Sequence, residues 1–175
     1  MPAEEQSLSV LTIGHSRHPI DELLGILRQH GVEVLVDVRS QPYSRFSPQF
    51  SRRALEQAVT EASIRYLFMG DSLGGRPEPR DCYDAEGKVD YDRVEEQVFY
   101  QRGIERLLER IARSRVCILC AEEDPRHCHR HLLVARTLVR RGVEVMHVRG
   151  TGALEAEADL CANDLDRQLA LFTKA

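Results

Sequence analysis

Residues 116–130 read VCILCAEEDPRHCHR, and the change of character inside that stretch decides the fold. Its first five residues are wholly apolar and too hydrophobic for a strand that faces water, so they predict one buried on both faces. Asp124-Pro125 follows, pairing a capping side chain with a proline pre-set for the first helical position. The helix begun there is expected over residues 125–141, ending at Gly142. Strand, polar turn and helix in that order form the repeating unit of a parallel α/β sheet. The turn is also dense in chemistry: residues 120–130 hold two cysteines, two histidines, three carboxylates and two arginines. Core packing needs no such density, so function is expected there.

The remaining chain repeats the alternation. Short apolar runs at 8–14 (LSVLTIG), 32–38 (VEVLVDV), 64–69 (IRYLFM) and 143–148 (VEVMHV) predict four more strands. Helical spacing of apolar residues marks 20–30, 52–63, 91–100, 104–111 and 154–172, with a break expected near Gly103. Residues 39–50 and 70–88 carry proline, glycine and charge, and are expected to be loops. Five near-continuous apolar strands separated by helices predict a three-layer α/β/α, Rossmann-like arrangement around a mostly parallel sheet. Ligands in such sheets bind beyond the carboxyl ends of the strands. Every unusual polar cluster falls there, whereas the helix-to-strand turns are plain Gly-Val.

Composition narrows the class. The chain has 175 residues, 42% hydrophobic and 30% charged, as expected of one globular domain over 1–175. Residues 1–7 are expected to be disordered, and 154–175 to be a C-terminal helical extension. No apolar run approaches the ~18 residues of a membrane-spanning helix, and the acidic start lacks the basic and apolar regions of a secretory signal. A cytoplasmic protein with no membrane partner is the expectation. Five cysteines, an odd count, then read as thiols rather than a disulfide framework. A net charge of −4 gives no global pull toward nucleic acid, although a local basic patch would.

Four stretches together carry a resemblance: TIGHS (12–16), LVDVRSQPYSRF (35–46), LGGR (73–76) and CAEEDPRHCHR (120–130). In this order they resemble DUF488, a bacterial domain-of-unknown-function family, from Thr12 to about Arg149. The resemblance implies a compact α/β domain that gathers the motif residues in one pocket. It implies no reaction.

The residues themselves admit three chemistries. Cys128, placed on the expected helix in register with Leu132, Ala135 and Val139, reads equally as a core cysteine or as a thiol activated near a helix start. Cys120 and Arg126 have the C-x5-R spacing of thiol phosphatases and sulfurtransferases, but Glu122, Glu123 and Asp124 in the same volume would repel an anion. Cys120, Glu122, Cys128, His129 and His15 are acceptable ligands for zinc or iron. Against that, adjacent Cys128 and His129 on a regular helix would point about 100° apart. A Cys120–Cys128 redox pair is the lesser variant.

The third chemistry is anion recognition. Arg39, Arg76 and Arg130 are expected to bind the anion, alongside Ser16, Ser40, Arg45, Gly74, Gly75 and His129. His15, Asp37 and Glu122 would supply acid–base work, with Cys120 or Cys128 performing or tuning the reaction. The leading expectation is an enzyme on a small or nucleotide-like anionic substrate, with no cofactor strongly implied beyond zinc or iron. The alternatives are a non-catalytic module for nucleic acid or ligand, with Tyr43, Phe46, Arg45, Arg52 and Arg53 as its basic aromatic face, and a protein whose Cys/His/carboxylate cluster simply holds metal. The same charges also suit an ion-pair network that closes the top of the sheet.

Overall fold

β4 (Val116–Cys120), the apolar run that opens the sequence argument, lies at the centre of the sheet. β1 (Ser9–Gly14), β2 (Val34–Asp37), β3 (Arg65–Phe68) and β5 (Glu144–Val148) are parallel to it, in the order β3-β2-β4-β1-β5-β6. The computed structural model describes the backbone of residues 7–172 and side chains up to residue 164. Apart from Ser7, the expected disorder over 1–7 therefore falls outside the described residues. No helix among the described residues is long and apolar enough to cross a membrane.

Both faces of the sheet are covered, as the absence of polar alternation in the strands requires. On one face Leu23, Leu24 and Leu27 of α1 (Ile20–Gln29) and Leu55 and Val59 of α2 (Arg52–Glu61) pack on Leu11, Ile13, Leu35, Cys117 and Leu119. The opposite face receives α3 (Gly70–Leu73), α4 (Tyr91–Glu95), α5 (Val98–Ile111) and α6 (Arg136–Arg140) on Val34, Val36, Val116 and Ile118. The fold is thus α/β with a mostly parallel sheet, as predicted.

Four elements differ from expectation, the first being α3, a helical turn at the start of the expected loop 70–88. Residues 154–172 are not one helix. Leu154–Ala156 forms β6, antiparallel to β5, before α7 (Glu157–Phe172) begins; the three-residue strand is too short to leave a period in the sequence. Gly103 does not interrupt a helix. It lies inside α5, where a Cβ would come within 2.9 Å of Ser72 and Leu73, so the glycine allows α3 and α5 to approach.

The helix expected from Pro125 is broken into three. A 3-10 turn at Pro125–His127 gives way to extended Cys128 (φ −132°, ψ 142°), then a π-helix over Arg130–Ala135, then α6. The wide π turn rotates everything beyond it. Leu132 and Val139, expected to face the sheet, are 37% and 48% exposed, while Leu133, Val134 and Leu138 are buried instead.

Strand pairing sets Gly14 beside Cys120, and Leu119 beside Asp37, so three carboxyl ends finish level. Gly14 is required there. A Cβ on it would lie 1.6 Å from the Glu122 carbonyl oxygen, because the turn after β4 folds back across β1. Gly25, exposed within α1, has nothing within 4 Å of a Cβ position. Gly14→Ala should therefore destabilise the chain by several kcal/mol through overpacking, and Gly25→Ala should stabilise it by about 0.5–1 kcal/mol. Chemical denaturation of both variants measures the two opposite signs; a tolerated Gly14→Ala would contradict the close crossing.

Candidate functional site

The carboxyl ends of β1, β2 and β4, with the loop after β3, enclose a pocket of about 440 Å³. Its floor is Cys120, Cys128 and His129, each buried. The Sγ atoms of the two cysteines and Nδ1 of His129 all lie within 4.8 Å of one another. Nδ1 is 3.7 Å from the Cys120 sulfur and 3.9 Å from the Cys128 sulfur. The other ring nitrogen, Nε2, is 3.1 Å from the carbonyl oxygen of Val38, which can only accept. Nε2 therefore carries the proton and Nδ1 presents its lone pair to the two sulfurs. A partner on the distal nitrogen fixes ligand histidines in just this way.

The break in the helix makes this convergence feasible. On a regular helix Cys128 and His129 would diverge; extended Cys128 turns its side chain back to the same volume as its neighbour. The sequence objection to a shared ligand set thus fails for a conformational reason. Gly75 packs on the ring of His129, where a Cβ would come within 2.7 Å of it. Gly74 does not line the pocket but lies against Ser40, whose Oγ accepts the amide of Arg76 at 2.9 Å.

The three carboxylates of the turn separate. Glu122 alone lines the pocket, with Oε2 accepting the Cys120 thiol at 3.1 Å. Burial opposes its ionisation, but hydrogen bonds from Cys120, its own amide and Cys128 outweigh that and hold the carboxyl below its usual range. Glu123 turns to Arg149 at 2.8 Å, and Asp124 caps the amide of Arg126. Arg126 pairs with Asp124 and Glu155, outside the pocket lining. The C-x5-R cradle is absent because its arginine points elsewhere, not because three carboxylates crowd it. A hydrogen bond with Cys128, together with burial, pushes the Cys120 thiol up, which disfavours the thiolate a nucleophile needs.

Most of the expected acid–base and anion groups bind each other. Asp37, wholly buried, accepts the amide, Nε and Nη2 of Arg39 and the hydroxyl of Tyr66. Nη1 of Arg39 donates to the Phe50 carbonyl and to Nε2 of His15. One N–H of Nη2 is not used by these bonds, so Arg39, which lines the pocket, has a single contact to offer rather than a fork. His15 donates from Nδ1 to the Ser16 carbonyl and stacks on Phe50 at 4.3 Å. Its lone pair is already taken by Arg39, so it forms wall rather than base.

Arg130 is fully buried outside the pocket lining, with Nη2 donating to the carbonyls of Glu122 and Glu123. It clamps the turn from beneath. Ser16 and Arg45 do not line the pocket either. Exposed Arg76 remains as the accessible cation, and Tyr91, His127 and Tyr43 join it at the rim. Of these, Tyr91 escaped sequence reasoning, and His127 enters it only as a positive neighbour of Cys128 and not as a site residue. His127 sits inside the motif, but Tyr91 reads only as the start of a helix.

Burial pushes the His15 pKa down to about 4 from the ordinary 6.5. Between those values the unfolded chain binds the proton and the folded chain does not, so stability rises with pH across that window and is fully present above it. The advantage of wild type over His15→Gln should shrink by about 3 kcal/mol between pH 7.5 and pH 4. Urea melts at the two values measure it, and a gap independent of pH would contradict the buried neutral imidazole.

Comparison with known proteins adds one relation. No curated protein and no solved structure matches the chain significantly. The family model described as a domain of unknown function, DUF488, matches residues 19–137, more than half of the chain. That stretch holds Asp37, Arg39, the glycine pair and the whole Cys120 turn, but not the TIGHS segment. The chain belongs to the DUF488 family.

Proposed function

We propose that the pocket is a metal-assisted active site acting on a small anionic substrate. Cys120, Cys128 and His129 would hold zinc or ferrous iron, with Glu122 or a substrate atom in the fourth position. One observation carries the reading: two sulfurs and a nitrogen lone pair converge within 4.8 Å while the Val38 carbonyl fixes the histidine tautomer. Soft thiolate donors with one imidazole suit zinc or iron, and a site that keeps a position open toward a cleft is of the catalytic kind.

The bound ion would polarise an oxygen of the substrate or of water. Ionised Glu122, beside the ion position, is suited to take up a proton from that water. Arg76 and the remaining Nη2 proton of Arg39 would fix the anion through charge-assisted bonds. Cytoplasmic residence belongs to the same proposal, since all five cysteines are thiols and such a centre needs them reduced.

A second reading, a module for single-stranded nucleic acid, rests on Tyr43 and Phe46, 76% and 86% exposed beside the basic loop. Arg52 is already engaged over the ring of Phe68 at 4.3 Å, which weakens that face. If it operates, each aromatic should contribute roughly 1–3 kcal/mol to oligonucleotide binding. Unchanged affinity in Tyr43→Ala with Phe46→Ala would remove it.

The primary reading predicts that cobalt exchanged into anaerobically purified protein gives thiolate-to-metal charge-transfer absorption. Cys120→Ser or Cys128→Ser should abolish that band. Arg76→Ala should keep it, while weakening stabilisation by phosphate or pyrophosphate about tenfold or more in apparent affinity. A wild-type chain that takes up cobalt without the band contradicts the ligand set.

A further inference from the structure

A second cluster lies on the other flank of β1, away from the pocket. His131 on the π-helix, His147 on β5 and Glu157 at the start of α7 are 5%, 0% and 2% exposed. The carboxylate of Glu157 sits between the two rings, 2.8 Å from Nδ1 of His131 and 2.6 Å from Nε2 of His147. We propose that these three residues form a second divalent-metal site, of two histidines and one carboxylate, that takes zinc or ferrous iron.

The distal ring nitrogens carry the argument. Nδ1 of His147 is 2.6 Å from Oγ1 of Thr12, and Nε2 of His131 is 3.6 Å from Oδ2 of Asp164. A hydroxyl and a carboxylate behind the two imidazoles are the supports that aim ligand nitrogens at an ion and raise their basicity. Both inner nitrogens and the carboxylate oxygen fall within 4.8 Å of one another. Three separate elements deliver them, so the cluster is not the by-product of one helix face.

Without an ion the same atoms close into hydrogen bonds of 2.6–2.8 Å. Donors bound to one tetrahedral ion at about 2.0–2.1 Å stand roughly 3.3 Å apart, so loading spreads the ring by about half an ångström. The donor set is nitrogen and oxygen, unlike the sulfur-rich pocket floor, and completes the two-histidine, one-carboxylate pattern of open iron sites. Glu157 also borders a cavity of about 450 Å³ lined by Val143, Val145, Ala156 and Cys161 together with Arg136, Arg140 and Glu144.

The test uses the full chain carrying Cys120→Ser and Cys128→Ser, which removes the sulfur site and leaves this cluster intact. Titration with cobalt alone should then give one equivalent bound, with visible d–d absorption, no sulfur charge transfer and a raised Tm. Glu157→Gln in that background keeps much of the hydrogen bonding but should weaken cobalt binding 10–100-fold. No stoichiometric cobalt and an unmoved Tm would overturn the proposal and leave a hydrogen-bonded latch for α7. If the double variant does not fold, wild type decides: two equivalents with both spectra support the site, and one equivalent with the charge-transfer band alone overturns it. Loss of the charge-transfer band in wild type would instead count against the pocket reading, so the two failures are separable.

Discussion

The hydrogen bond from Nε2 of His129 to the carbonyl of Val38 is the interaction on which the site depends. It joins the end of β2 to the turn after β4, two segments far apart in sequence that the parallel sheet sets side by side. Because the carbonyl can only accept, the bond decides which ring nitrogen is protonated and where the lone pair goes. Gly75 closes on the ring from outside and Gly14 lets the turn cross β1. Gly14 is fixed by the close backbone of the turn and Gly75 by the His129 ring, so the motif loops are mechanical parts of one setting.

Charge at the carboxyl edge is divided by burial. Asp37, Arg39, Tyr66 and His15 satisfy one another almost completely, and a buried pair so bonded shapes a wall more than it reacts. Arg76, exposed at the mouth, keeps its donors for a ligand, and Glu122 lies beside it, accepting the Cys120 thiol. Arg130 holds the Glu122 and Glu123 peptides from beneath, which explains an arginine in the motif without any contact to substrate.

The parts legible in the sequence were those governed by local rules. β4 is found over its full length because five apolar residues between polar turns leave no other assignment. α1 and α2 follow from helical spacing, and the gathering of motifs follows from the carboxyl-end rule. The π-helix after Cys128 was not legible, since nothing in RHLLVA forbids a regular helix; packing against the sheet selects the wider turn. Extended Cys128, just before that turn, reverses the sequence view of Cys128 and His129 as divergent. The His131–His147–Glu157 cluster was equally hidden, because its residues share no motif and meet only through β5 and the strand-to-helix turn at Ala156.

Two clusters of different donor character therefore flank β1, one rich in sulfur and open to a polar cleft, the other built of nitrogen and oxygen beside a separate cavity. The central claim concerns the first. Crystals of protein never exposed to chelator, measured on both sides of the zinc and iron absorption edges, test it most directly. The account predicts an anomalous peak about 2.3 Å from the sulfurs of Cys120 and Cys128 and about 2.0–2.1 Å from Nδ1 of His129. A Cys120–Cys128 disulfide, or three ordered side chains with no anomalous density between them in metal-replete protein, would contradict it.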